Sequence, residues 1–184
     1  MAASVSPESF TMVLFDQPAI VAEVERIAAL VGVPSGEEVR VVVDEAVPVA
    51  RAHLASVDPL VLEVEGGAFE DPRHPRQLSE AAVADTVGRL LLQALDRRSA
   101  AFGEVPADVD IPLAHRVAWD VYAVGRLQRL GLDGQRQRRI YGFRNRHGFT
   151  DVADEAFARL WDGTDLTWAD VTRFSDEALA ARTG

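Results

Sequence analysis

The chain contains no cysteine, which excludes disulfides, thiolate nucleophiles, iron–sulfur ligation and cysteine-based zinc sites. It contains no lysine either, because all 19 basic residues are arginine. Without a side-chain amine there is no Schiff-base chemistry and no lysine-bearing phosphate loop. Arginine does not stand in as an acid or base, since its guanidinium stays protonated. All nine prolines lie between Pro7 and Pro112, so the segments beyond can run as helices without a breaker of that kind. No apolar run approaches the roughly 18 residues of a membrane span. The opening MAASVSPESF lacks the basic and apolar regions of a secretory leader. GxGxxG, GxSxG and HExxH motifs are missing, as is an Asp-rich calcium loop, and His53, His74, His115 and His147 are scattered. A lysine-free chain rich in Ala, Val, Arg and Asp fits GC-rich bacterial coding, and the expected location is the cytoplasm.

What is present describes a folded protein. Apolar residues make up 48% of the 184 and charged residues 26%, which is enough apolar weight for a substantial core. The net charge of −10 favours solubility and disfavours a surface that binds nucleic acid or anionic lipid throughout.

Periodicity places the elements. TMVLF reads as a strand, and QPAIVAEVERIAALVG reads as an amphipathic helix with Pro18 in its first turn and Gly32 at its end. EVRVVVDE and PLVLEVEG alternate as half-buried strands. VPVARAHLAS between them reads as a short helix, followed by a turn at Asp58-Pro59. GGAFEDPRHPRQ reads as a loop. Beyond it, Ser79 caps a long helix, a second helix spans about Leu113 to Leu130, and Thr150 and Thr167 cap two more. The expected class is α+β, a single domain over 1–184 with a possible sub-boundary near 66–78. It has about three strands in its N-terminal third packed against about four or five helices.

GQRQRRIYGFRNRHGF stands out, with five arginines, a histidine and three aromatics in an acidic chain. From Arg126 to His147 there are seven arginines and one acid, Asp133. Residues 151–184 hold eight acids and three arginines, and residues 1–125 hold twenty acids and nine arginines. Two outcomes compete. The acidic helices that follow can fold back on the arginines, which is the simpler arrangement. Alternatively Arg136, Arg138, Arg139, Arg144, Arg146 and His147, with Tyr141 beside them, receive a small anionic ligand or an acidic protein surface, and Tyr141, Phe143 and Phe149 offer rings for stacking. Nucleic acid is disfavoured because the rest of the chain repels a polyanion. Three glycines favour an irregular loop or hairpin here; read as a helix, Ile140, Phe143 and His147 line up instead.

A second candidate is acidic. Asp44 and Glu45 close one strand, Glu65 closes another, and Glu70, Asp71 and His74 follow. Were these strand ends neighbours, carboxylates and an imidazole would meet at the sheet edge, as a hydrolase or lyase, metal-dependent or not, requires. His115 is expected to be a helix-surface or satisfied core histidine rather than a ligand, with Trp119 four residues on and able to stack over it; the three tryptophans are expected to fill the core or an interface. The resulting expectation is a non-catalytic binding or regulatory protein using residues 136–149, with a homodimer through apolar helix faces as a possible assembly and no cofactor named.

Overall fold

The computed structural model describes residues 2–182. Two compact units are formed, one up to Leu95 and one from Asp96. Among the described residues the secondary structure comprises six α-helices, a four-stranded mixed sheet and a two-stranded ribbon, so the class is α+β.

The first unit is built on β1 (Ala2–Ser6), α1 (Gln17–Val31), β2 (Glu38–Asp44), β3 (Ala52–Ser56) and β4 (Leu60–Glu65). The sheet order is β1-β2-β4-β3; β1, β2 and β4 run parallel, and β3 lies antiparallel at the edge. The alternation read from the sequence is realised. Val39, Val41, Val43, Leu60, Leu62 and Val64 are buried, and the residues between them face outward. In α1 the buried face is Ile20, Val24, Ile27 and Ala28, spaced for one side of a helix. Gly32 ends it in the left-handed region (φ 89°), which glycine adopts without a Cβ penalty, and the following Val33 N–H returns to the Ala28 carbonyl at 2.9 Å.

Three local readings are corrected here. TMVLF alternates in burial as a strand would, yet it makes only an isolated bridge, Leu14 to Gln77. The N–H groups of Thr11 and Met12 go to the Glu45 carboxylate (2.8 and 2.6 Å) rather than to a neighbouring strand. VPVARAHLAS supplies β3 instead of a helix, because the tight turn after Ser56 carries the chain back along β4, whose free edge offers backbone partners. GGAFEDPRHPRQ is more ordered than a loop: it holds a 3₁₀ turn (Gly66–Ala68) and the ribbon of β5 (Glu70–Asp71) and β6 (His74–Leu78). β1, at the start of the chain, is a strand that its weakly apolar sequence did not announce.

The division between units falls inside α2 (Glu80–Arg98), whose start is capped by Ser79 Oγ accepting from the Ala82 N–H at 3.2 Å. The second unit continues with α3 (Leu113–Arg129), α4 (Arg136–His147), α5 (Asp151–Asp162) and α6 (Trp168–Arg182). Thr150 caps α5 through its Oγ1 and the Ala153 N–H (3.1 Å). Thr167 and Asp170 exchange side-chain-to-backbone bonds at 3.1 and 3.2 Å, a capping box with the shorter acid. The core is aromatic. Phe102 stacks on Trp119 and Tyr122, and Phe157 on Trp161 and edge-to-face with Phe143. No described helix is long and apolar enough to cross a membrane.

Candidate functional site

The arginine stretch is a helix, not a loop or hairpin. Of its glycines only Gly142 lies inside α4; Gly134 precedes it and Gly148 ends it. Ile140, Phe143 and His147 form the stripe that docks on the core, the two latter fully buried. This inward stripe dictates where every arginine goes, because the remaining positions are distributed around the other sides of the helix.

The arginines end in different surroundings. Arg144 is paired: its Nε and Nη2 meet Asp154 of α5 at 2.6 and 2.5 Å, and this bidentate bond holds the Asp154 carboxyl below the usual carboxylate range. Here the acidic helix does fold back, as the sequence suggested. Arg136 is spread over the Phe157 and Trp161 rings (5.4 and 5.9 Å). Arg138 and Arg146 stand exposed, and Arg138 donates to Gln135 Oε1, at its own helix start, at 3.3 Å. Arg139 is half-buried on the flank. Meanwhile Asp170 and Glu177 of α6 pair with Arg173, and Glu177 also approaches Arg159. Those acids are engaged with arginines of α5 and α6 rather than with α4.

The outward face of α4 is therefore Arg138, Tyr141, Gly142, Asn145 and Arg146, with Phe149 just past the helix. Tyr141 is 60% and Phe149 65% exposed, and their rings meet edge-to-face at 6.0 Å. The sequence named Tyr141, Phe143 and Phe149 as rings able to stack on a ligand; that Phe143 is buried while Tyr141 and Phe149 are exposed and paired with each other is a tertiary fact.

His147 points the other way. Its ring stacks on Phe143 (3.8 Å between centroids), and Nδ1 lies 3.1 Å from the Phe143 carbonyl, which only accepts, so Nδ1 carries the proton. Nε2, 2.8 Å from Ser175 Oγ, accepts from that hydroxyl. Ser175 is itself fully buried, so this serine–histidine contact has no access for a substrate. Burial pushes the imidazole from its ordinary 6.5 to about 4. The unfolded chain binds a proton at His147 below about pH 6.5 and the folded one does not until about pH 4. Stability from this group is thus complete above the first value and is lost as pH falls towards the second, by about 3 kcal/mol in all. Urea unfolding at pH 7.5 and 4.5 checks this: the loss should be larger in the native protein than in His147→Phe.

His115 is not stacked on Trp119, whose indole turns inward to donate to Asp96 at 2.8 Å. The His115 ring meets Trp168 edge-on (6.3 Å), with Nε2 2.7 Å from Asp176.

The acidic set is only partly assembled. Asp44 and Glu65 are cross-strand neighbours in register, and with Val42, Arg51, His53 and Glu63 they line an open depression of about 280 Å³ on the wet face of the sheet. The histidine there is His53, paired with Glu63 at 3.1 Å, not His74. Glu45 is held by the Thr11 and Met12 N–H groups, which lower its carboxyl. Asp71 accepts from the Arg73 N–H and meets His74 Nδ1 at 3.2 Å within the ribbon, while Glu70 sits in β5 opposite Leu78. Among the described residues no three His, Asp or Glu side chains are grouped to hold a metal ion. No family model matches the chain, and no curated protein and no solved structure is significantly similar to it.

Proposed function

We propose that the protein is a non-catalytic binding or regulatory protein of the cytoplasm whose α4 face receives an acidic protein surface. The observation that carries this is the Tyr141–Phe149 pair. The large aromatic rings Phe102, Trp119, Phe143, Phe157 and Trp161 are buried in the same unit, yet these two stand out in water beside Arg138 and Arg146. Aromatic and arginine side chains are the residues enriched at the centres of protein interfaces. The face of a helix is convex, which suits a macromolecular surface better than enclosure of a small anion. Acid-rich residues 1–125 speak against a polynucleotide.

The test is fluorescence anisotropy with a labelled peptide rich in Glu and Leu. Binding should weaken as salt rises, and the double variant Arg138→Glu, Arg146→Glu should lose at least about tenfold in affinity. A double variant that binds as the native protein does would remove this reading. The other reading, a hydrolase or lyase using Asp44, Glu45, Glu70, Asp71 and His74, has in its favour only the depression at Asp44, since the remaining four engage partners elsewhere.

A further inference from the structure

We infer that the acidic partner of α4 is itself an α-helix, laid close across Gly142; this rests on the acidic-partner reading above. The glycine is the starting point. Gly142 sits in the middle of a 12-residue helix, where glycine is the poorest choice apart from proline. Its φ is not in the left-handed region that glycine favours, and a Cβ placed there meets nothing within 4 Å. The closely packed glycines of this unit have an internal reason: a Cβ on Gly125 or Gly134 would run into Trp161, and one on Gly163 into Leu166 and the Arg159 carbonyl. At Gly142 the molecule gives up helix stability and gains nothing within itself. A position without a side chain on an outer face permits the close approach of something outside.

The neighbours define what approaches. Arg138, Gly142 and Arg146 follow at intervals of four along one ridge of the helix. The two arginines are eight residues apart, which sets their Cα positions about 12 Å apart along the axis, one on each side of the notch. Carboxylates seven or eight residues apart on a partner helix match that span, with a small residue between them over Gly142. Tyr141 and Phe149 then supply the apolar contact alongside.

A helix fits better than an extended peptide for a reason of hydrogen bonding. The backbone groups of α4 within the helix are satisfied internally, so an extended chain pressed against it would bury N–H and C=O groups with no partner. A helix brings its own backbone already paired. A second copy of this chain is the wrong occupant, because a two-fold contact centred on Gly142 would set arginine against arginine.

Selection of a random 20-residue peptide display library against the immobilised full chain tests the proposal. Enriched peptides should be helix-compatible, carry Asp or Glu seven or eight positions apart, and lose at least about tenfold in affinity for Gly142→Leu. Gly142→Ala should meanwhile raise the melting temperature of the free protein by about 2–4 °C, since only helix propensity changes. Acidic peptides interrupted by proline, or peptides that bind Gly142→Leu as tightly as the native chain, overturn the close helix but leave the acidic-partner reading standing. Enrichment without acids, or binding unchanged in Arg138→Glu, Arg146→Glu, overturns both.

Discussion

Asp96→Ala is expected to lower the unfolding free energy by about 3–5 kcal/mol, read from urea denaturation. Asp96 is 5% exposed, and its carboxylate serves two partners. It takes both Nη groups of Arg126 at 2.7 and 2.6 Å and the Trp119 indole N–H at 2.8 Å. The guanidinium of Arg126 lies over the Tyr122 ring at 4.1 Å, and its Nε, also buried, has no hydrogen-bond partner. Truncating Asp96 leaves that charge inside the protein with neither a counter-ion nor enough water, and orphans the indole donor as well. The cost comes from the stranded charge more than from the lost bond. Accordingly Asp96→Leu combined with Arg126→Met should cost less than Asp96→Ala alone, since the pair is then removed together. A loss below about 1 kcal/mol in the single variant would show that water reaches Arg126 and would defeat the argument.

The second large effect is at Gly125, where alanine is expected to cost about 3 kcal/mol or more. By propensity the substitution ought to help, because alanine in a helix interior is favoured over glycine by roughly 1 kcal/mol. Space decides otherwise. A Cβ at this position of α3 would stand 2.1 Å from the Trp161 carbonyl oxygen and 2.8 Å from its carbonyl carbon, both backbone atoms of α5. A backbone cannot rotate aside, so the two helices would have to separate. That would also disturb the Arg129 hydrogen bonds to the Trp161 and Gly163 carbonyls and the Tyr122 hydroxyl bond to Thr164. An alanine variant as stable as the native protein would mean that α3 and α5 do not touch at this point. The contrast with Gly142 is instructive: two glycines in helix interiors, with opposite expected signs, and only the neighbouring chain tells them apart.

Much of the fold was legible because periodicity is a local property. The i, i+3, i+4 spacing of Ile20, Val24, Ile27 and Ala28 identified α1, and the alternation in EVRVVVD and LVLEVE identified β2 and β4 with the correct buried residues. Capping by Ser79, Thr150 and Thr167 was visible for the same reason, since the partners lie three residues away. AHLAS was misread because its strand state comes from the free edge of β4 and not from its own residues. The arginine stretch was misread because three glycines look alike in a sequence, while only Gly142 falls within the helix. Phe143 and His147 had been placed on a common stripe by the helical alternative, and their burial is what stabilises α4.

By itself the order of residues determined the α+β class, the limits of α1 and α3, the starts of α5 and α6, the chemistries that a chain without cysteine or lysine cannot perform, and the position of a cationic island in an acidic molecule. Tertiary structure alone decided which arginines of that island are already engaged. Arg144 is met by Asp154 and Arg136 by two rings, whereas Arg138 and Arg146 are left facing water beside Tyr141 and Phe149. The reason is that a helix or strand is specified by neighbours within a few residues, but the counter-ion of a long charged side chain is whatever the folded chain brings within about 4 Å of its head. Asp96 and Arg126 are thirty residues apart in sequence and meet in the core.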